Sequence, residues 1–359
     1  MHGRIAGLDL LRGLAIALVL LRHAWPGTFG SSGIVGVVVF FALSGYLITG
    51  ILLADIAERG RVDLARFYRN RAIRLFPPLL LLLAVIALVT LTIDPLGQRD
   101  GLARALLIGL TYTGNLPIEL GSSAIDHLWT LATEEQFYLF WPLLLLLAVR
   151  RGRPGVLVMG VGAALLLVLT ITLVGAAPDV QDVYRYPASW SLALVIGAAA
   201  RIWTARVSAG LPTGRSARTV VGALAVVTLG ALSFLPGGKY EAASYLVLGP
   251  FVALVTVVLI HVWRDWGELP TPALRPLLAL GTISYAAYLW NYPIVLWLGA
   301  ALGSTSFAGW RPLAGIGATL VAATVSWWLV EEPSRRWRRR WDARAEAAGA
   351  RRREASTVG

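Results

Sequence analysis

Long apolar runs separated by short polar segments dominate this sequence and set its predicted architecture. A helix needs about 17 to 25 apolar residues to cross a bilayer. Runs of this kind occur at residues 8–26, 33–54, 75–93, 128–149, 155–177, 187–203, 219–236, 243–262, 277–301 and 313–330. The apolar residues are continuous instead of alternating, and lipid admits only helices or closed barrels. The pattern therefore predicts an all-α polytopic membrane protein.

A further apolar segment, 102–118, decides the topology. If the N-terminus is cytoplasmic, the arginine-rich loop after the second run is cytoplasmic too. The next cluster, Arg150, Arg151 and Arg153, is cytoplasmic only if 102–118 does not cross. Because positive charge favours the cytoplasmic side, we predict ten spans with both termini inside. Segment 102–118 becomes a re-entrant or surface segment on the outer side.

Composition narrows the class further. Of the 359 residues, 57% are hydrophobic and 14% are charged, and there is no cysteine. Disulfides and thiolate nucleophiles are therefore excluded. The net charge of +12 comes from arginines grouped in loops, which is a topology signal and requires no nucleic acid. We expect a multi-pass protein of the cell membrane, with residues 338–359 forming a disordered basic tail at the headgroups.

The first run carries charged and titratable residues that a bilayer disfavours. Arg12 and His23 are eleven residues apart, which is about three helical turns, so both lie on one face. The helix rises about 16 Å between them. Each side chain would then reach its own headgroup layer, or the two would mark a polar track through the helix bundle. The residues alone favour neither interpretation.

The fourth run contains a second polar set, in "HLWTLATEEQFYLFWP". His127 and Glu134 are seven residues apart and share a face, with Tyr138 nearby. A histidine beside a carboxylate is typical of general-base chemistry. The structural alternative is a Glu–Arg pair that holds helices together, and we expect it for Glu134 or Glu135.

The remaining polar features are weaker. Arg71 and Arg74, one turn apart in "FYRNRAIRLFPP", suit phosphate recognition through forked hydrogen bonds. Alone, they are better explained as topology signals or lipid contacts. Ser44 and Gly45 in the second run are typical of close helix packing. No nucleotide loop or metal-binding motif occurs.

Taken together, six segments resemble the membrane acyltransferase-3 family, whose members O-acylate surface polysaccharides and some antibiotics. They are "LDLLRGLAIALVLLRHA", "VFFALSGYLIT", "FYRNRAIRLFPP", "HLWTLATEEQFYLFWP", "ISYAAYLWNYP" and "VEEPSRRW". They follow the family's order and cover residues 8–337, which we take as one integral-membrane acyltransferase domain. The resemblance also implies ten spans with both ends inside. It is closest to the stand-alone form, since no esterase-like domain fits after residue 337.

The resemblance implies roles for individual residues. The family's essential arginine and histidine correspond to Arg12 and His23, and its cytoplasmic arginine pair to Arg71 and Arg74. The family's acid corresponds to Glu134 or Glu135. His127 supports the catalytic set. We assign substrate contacts to Trp129, Tyr138, Tyr285 and Asn291. Asn291 replaces a frequent histidine, and Asn70 replaces the first arginine of a double arginine.

Together with the resemblance, these residues predict an O-acyltransferase that uses acyl-CoA as a co-substrate, with acetyl-CoA as the expected donor and no tightly bound cofactor or metal. Arg12, Arg71 and Arg74 would attract its phosphates. His23, steered by Glu134 or Glu135, would deprotonate a hydroxyl of a carbohydrate, glycolipid or glycosylated natural product. A transient acyl-histidine is a variant. The alternatives are a proton-coupled transporter or flippase and a sensor or scaffold; the lack of matched broken half-helices speaks against transport.

Overall fold

The computed structural model describes residues 5–303, 309–338, 340 and 341, and within them every regular element is helical. The α-helices are α1 (Ala6–Ala24), α2 (Ser32–Arg59), α3 (Leu64–Thr92), α4 (Leu102–Thr111), α5 (Trp129–Arg150), α6 (Pro154–Ala176), α7 (Pro187–Ile202), α8 (Thr204–Ala209), α9 (Arg215–Leu232), α10 (Gly249–Trp263), α11 (Arg275–Thr282), α12 (Ser284–Ala301) and α13 (Arg311–Ser326). Short 3₁₀ segments connect several of them, and π-helical turns, Ser244–Leu248 and Trp327–Glu331, adjoin α10 and α13. The all-α class is confirmed. Most of the predicted basic tail, 342–359, lies outside the described residues.

Each predicted span falls on helical structure, and all but 277–301 correspond to a single helix, although the count of ten stays a prediction. In the described part of the chain, six helical segments are long and apolar enough to cross a membrane: Ser32–Arg59, Leu64–Thr92, Pro154–Ala176, Arg215–Leu232, Ser244–Trp263 and Arg311–Arg338. Helices α1, α5 and α12 are long enough but carry the polar residues discussed above. The run 277–301 is divided into α11 and α12 at Ile283.

Segment 102–118 forms only the ten-residue helix α4, after which the chain turns. Ten residues span about 15 Å, which is half of the hydrocarbon thickness of about 30 Å. Helix α4 is therefore too short to cross a bilayer by itself, in keeping with the predicted surface or re-entrant segment.

A single cysteine tests this topology, since the chain has no cysteine of its own. Arg151 is exposed after α5, and Asp100 is exposed before α4. We expect Arg151→Cys to react with a membrane-impermeant thiol reagent only after the cells are opened, and Asp100→Cys to react in intact cells. Labelling of Arg151→Cys from outside intact cells would overturn the predicted topology.

Helix α2 lies at the centre of the bundle, and glycines allow neighbouring backbones to approach it closely. A Cβ atom on Gly45 would lie 1.9 Å from the Leu194 carbonyl oxygen, and one on Gly197 would lie 1.9 Å from that of Ala42. Small residues at such crossings let helices pack backbone to backbone in a membrane. The interpretation of Gly45 as a packing residue is confirmed.

The outer surface of the bundle is apolar. On α6, the side chains of Leu167, Ile171 and Val174 are 60%, 63% and 72% exposed. They follow one another at helical spacing and form a stripe that water would disfavour and lipid would accept. Polar side chains instead gather between α1, α2, α3, α5 and α12. The protein is thus a multi-pass membrane protein with a polar-lined cavity inside the bundle.

Candidate functional site

A cavity of about 280 Å³ opens between α1, α2, α3, α5 and α12. Apolar side chains of α2 form one wall. The polar residues that line it are Arg12, Ser44, Arg71, Arg74, Thr130, Glu134, Tyr138, Ser284, Tyr285 and Tyr288. These residues come from five different helices, so the packing of the helices against one another assembles the site. The structure therefore brings the three predicted arginines and one predicted glutamate together.

The three arginines differ in how they are held. Arg12 donates to Asp9 at 2.8 Å, and Arg71 donates to Glu135 at 2.9 Å. The Arg71 guanidinium also lies over the Tyr138 ring, 3.4 Å from its centroid. Arg74 is exposed and has no hydrogen-bond or ion-pair partner among the described residues. Arg74 is thus the arginine available to a ligand in the cavity.

The two adjacent glutamates have separate roles in the structure. Glu135 forms an ion pair with Arg71 that joins α5 to α3. This is the structural Glu–Arg pair that was expected for one of the two glutamates. Glu134 lines the cavity and accepts a hydrogen bond from the Ser44 hydroxyl at 2.7 Å. Sequence reasoning gave Ser44 only a packing role. The sequence feature that could have indicated this role is a hydroxyl directly before the packing glycine Gly45, on a helix that packs against the glutamate-bearing helix α5.

A second cluster surrounds His23 at the far end of α1. The Nδ1 atom of His23 lies 2.5 Å from the Asn291 side-chain oxygen. The Tyr292 ring lies 5.2 Å from the His23 ring and 5.6 Å from the His127 ring, centroid to centroid. His127 donates from Nε2 to the Leu289 carbonyl at 3.0 Å, and its buried Nδ1 has no partner among the described residues. Helix α12 thus connects the two histidines.

The prediction that Glu134 or Glu135 steers His23 does not match this geometry. The hydrogen-bond partner of His23 is Asn291, and the glutamates bond to Ser44 and Arg71 instead. The physical reason is that α12 packs against α1 at the height of His23, while α5 faces α2 and α3. Asn291 was assigned to substrate contact, but its side chain is 1% exposed and committed to His23.

A thin layer separates the cavity from the histidines. The Thr130 hydroxyl donates to the Tyr288 hydroxyl at 2.6 Å, and Tyr288 donates to the His127 carbonyl at 2.8 Å. Thr130 and Tyr288 line the cavity, whereas His23 and His127 do not. The sequence reasoning missed Thr130 and Tyr288, because each is ordinary in its own helix. The predicted site is therefore divided into an arginine cavity and a histidine cluster.

Of the other predicted substrate contacts, Tyr138 and Tyr285 line the cavity and Trp129 does not. The Tyr285 hydroxyl donates to the Leu75 carbonyl at 3.0 Å. Trp129 is 4% exposed and packs edge-on against the rings of Phe41 and Tyr184. Trp129 therefore contributes to the packing of the bundle and not to the cavity wall.

Fold and site together define a multi-pass helical membrane protein with an arginine-lined internal cavity and a buried histidine cluster. The chain belongs to the acyltransferase-3 family, whose acyltransferase domain matches residues 5–332. The resemblance drawn from the six sequence segments is thereby confirmed.

The chain is similar to proteins of Listeria monocytogenes, Staphylococcus aureus and Bacillus subtilis. The chain is 28% identical over 354 residues to peptidoglycan O-acetyltransferase OatA of Listeria monocytogenes, covering 92% of this chain and 56% of that protein. It is 28% identical over 356 residues to O-acetyltransferase OatA of Staphylococcus aureus, covering 92% and 57%. It is 30% identical over 363 residues to the putative peptidoglycan O-acetyltransferase YrhL of Bacillus subtilis, covering 93% and 55%. The chain thus spans little more than half the length of these relatives. No solved structure matches it.

Proposed function

We propose that this protein is a membrane O-acyltransferase that moves an acyl group, with acetyl expected first, from acyl-CoA to a carbohydrate hydroxyl. The observation that carries the proposal is the position of Arg74. Its guanidinium faces an internal cavity without a partner among the described residues, at the end predicted to be cytoplasmic. Arginine forms forked, charge-assisted hydrogen bonds to phosphate. An anionic donor entering from the cytoplasm would meet it first.

The paired arginines support the same donor. Arg12 and Arg71 line the cavity with Arg74, and each already holds a carboxylate, from Asp9 and Glu135. A phosphate placed among three guanidinium groups would be attracted by all of them, because the low dielectric of the bundle weakens screening. Tyr138 and Tyr285, which were predicted as substrate contacts and line the same cavity, are then contacts of the donor.

The chemistry would take place at the histidine cluster. Asn291 bonds to the Nδ1 atom of His23, and the other ring nitrogen, Nε2, has no hydrogen-bond partner among the described residues. In the proposed step, Nε2 accepts the proton of the acceptor hydroxyl while the hydroxyl oxygen attacks the acyl carbonyl carbon. The carbon–sulfur bond then breaks, and the leaving thiolate takes the proton back from the imidazolium. General-base catalysis of this kind contributes about 10²- to 10⁴-fold.

The layer of Thr130 and Tyr288 lies between the donor cavity and His23. In our proposal the thioester passes this layer, and the phosphates stay with the arginines. The rise of about 16 Å along α1 between Arg12 and His23 sets the length that the donor's arm has to cover. An extended, uncharged arm between the phosphates and the thioester suits that passage.

A carbohydrate acceptor is supported by the relatives, two of which are named for peptidoglycan O-acetylation. We propose a glycan of the cell envelope as acceptor. The test is transfer by the purified protein in liposomes, with labelled acetyl-CoA and peptidoglycan fragments as substrates. We expect release of free CoA together with label on a fragment hydroxyl. Absence of both products from correctly inserted protein would reject the proposed function.

The same assay tests the arginines. Arg74→Ala and Arg71→Ala should each raise the KM for acyl-CoA about 10- to 100-fold, since a hydrogen bond to a charged group contributes about 1.5–3 kcal/mol. Arg74→Lys should rescue only in part, because lysine lacks the planar fork. Arg61→Ala is the matched control, since Arg61 is exposed in the turn just before α3 and does not line the cavity. Unchanged KM values in both cavity variants would leave these arginines as topology signals only.

A further inference from the structure

A chain of hydrogen bonds reaches His23 from helix α13. The Thr319 hydroxyl donates to the Gly315 carbonyl at 2.7 Å and accepts from the Asn291 side-chain nitrogen at 3.2 Å. The Asn291 side-chain oxygen lies 2.5 Å from His23 Nδ1. Asn291 is 1% exposed, and Thr319 is fully buried. Three helices, α13, α12 and α1, are thus connected through side chains shielded from water.

The direction of this chain follows from its first member. A threonine hydroxyl has one hydrogen and can donate once. In Thr319 that hydrogen is used by the Gly315 carbonyl, so the Thr319 oxygen can only accept from Asn291. Asn291 must therefore present its NH₂ group to Thr319 and its oxygen to His23. With the amide reversed, either two acceptor oxygens would face each other at Thr319 or Thr319 would give up its bond to the Gly315 carbonyl.

The orientation of Asn291 decides where His23 carries its proton. A carboxamide oxygen only accepts, so the Nδ1 atom of His23 has to donate to it. A neutral imidazole has one N–H, and the remaining ring nitrogen is then a lone-pair acceptor. That nitrogen is Nε2, the atom required for general-base catalysis. Asn291 carries no charge, so it fixes the tautomer without the electrostatic attraction that a carboxylate would exert on the imidazolium.

We infer that Thr319 and Asn291 are positioning residues, which hold His23 as its Nδ1–H tautomer with Nε2 ready to accept a proton. This inference rests on the proposed function for its catalytic meaning, although the tautomer itself is measured without turnover. Neither residue touches the reacting atoms. Thr319 lies on α13, 28 residues from Asn291 along the chain and on a different helix from His23, so sequence spacing does not reveal its role.

No other side chain offers His23 a comparable hydrogen bond in the described part of the chain. The charged or titratable groups that face it are Arg22 on α1, His127 in the Ser123–Leu128 segment and Tyr292 on α12. Tyr292 and His127 contact it through their rings or at longer range, and Arg22 can only donate. If Asn291 is no longer held in this orientation, no other side chain in the described part of the chain selects one tautomer of His23.

The direct experiment is nitrogen NMR of protein labelled with ¹⁵N-histidine, reconstituted in lipid. The full chain has four histidines, and His23→Gln identifies the signals of His23 by their loss. We expect the wild type to show a protonated Nδ1 and an unprotonated Nε2. Thr319→Val keeps the shape but removes the hydroxyl, and should give a mixture of tautomers. Thr319→Ser, which keeps the hydroxyl, should restore the wild-type signals.

Thr324→Val is the matched control. Thr324 lies on the same helix and its hydroxyl donates to the Leu320 carbonyl at 2.7 Å, the same local bond as in Thr319. It is exposed and contacts no part of the His23 cluster. We expect its His23 signals to match the wild type. A wild-type His23 protonated at Nε2, or a Thr319→Val variant with unchanged signals, would overturn the inference.

Kinetics supply the second readout. Thr319→Val should lower kcat by roughly the factor of ten that one lost hydrogen bond permits, with an unchanged KM for acyl-CoA. The pH at which kcat/KM falls should change in Thr319→Val and not in Thr324→Val. If the wild type transfers no acyl group but shows the expected tautomer, the proposed function fails and the hydrogen-bond chain stands. Equal kcat in Thr319→Val and wild type would deny the chain a role in catalysis.

Discussion

Replacement of His23 by glutamine is expected to lower kcat/KM for acyl transfer by about two to four decades, the usual contribution of a general base. Glutamine keeps the size of the side chain and can still bond to Asn291, but it cannot accept a proton at neutral pH. Because the arginine cavity does not include His23, the KM for acyl-CoA should stay near the wild-type value. His23→Ala should behave in the same way.

The pH profile gives the sign of the effect. Only the neutral imidazole accepts a proton, so kcat/KM of the wild type should fall as the pH drops through the pKa of His23 in the free enzyme. This limb should be absent from the residual activity of His23→Gln. Transfer assays and membrane-fraction immunoblots on the same preparations separate lost chemistry from failed insertion.

Other histidines provide controls for this prediction. His261 on α10 bonds to its own helix, at the Val257 carbonyl, and packs against Tyr46 away from the cluster. His261→Gln should therefore retain nearly full activity. His127→Ala should cost less than His23→Ala, since its Nε2 already donates to the Leu289 carbonyl. A His23→Gln variant with near-normal turnover would show that His23 only holds its helix in place.

Helical periodicity explains why part of this site was predictable. Arg12 and His23 lie on one helix, so their common face follows from their spacing alone. The same holds for Arg71 and Arg74, which are one turn apart on α3. Apolar length was equally informative for the helices themselves, because a bilayer demands a minimum number of apolar residues. These are local properties, and a single chain segment contains all the information they need.

Partner choice between helices was not predictable in this way. The pairing of His23 with Asn291 depends on α12 packing against α1, and the separation of Glu134 from Glu135 depends on which helix each one faces. Spacing on α5 only shows that adjacent glutamates point in directions about 100° apart. It does not show that α2 brings Ser44 to one and α3 brings Arg71 to the other. The glycine contacts that determine these crossings are also properties of pairs of helices.

The two glutamates can be distinguished by matched substitutions. Glu135→Gln removes the ion-pair partner of Arg71 and should mainly raise the KM for acyl-CoA, because the guanidinium is no longer held beside Tyr138. Glu134→Gln replaces the carboxyl group that lines the cavity, next to the Ser44 hydroxyl. Its effect should appear mainly in kcat, since the carboxylate lies between the arginines and the layer that leads to the histidines.

We expect Glu134→Gln to lower kcat by about 10²-fold, at the lower end of what an acid–base or orienting carboxylate contributes. Glutamine preserves the acceptor for Ser44, so the helix crossing should survive. Ser44→Ala, which leaves the carboxylate in place, should cost about tenfold at most, the value of one hydrogen bond. Parallel measurement of kcat and of the KM for acyl-CoA in the three variants separates these contributions.

The pH profile of Glu134→Gln then identifies the base. Glu134 shares no hydrogen bond with His23, so its removal should lower the rate at every pH while the fall of kcat/KM toward acid, which we assign to His23, persists. Groups that act through separate contacts also change rates independently. The double variant His23→Gln with Glu134→Gln should therefore lose about the product of the single losses. If the acid limb disappears in Glu134→Gln and remains in His23→Gln, the proton acceptor is the cavity glutamate and the His23 cluster has a structural role.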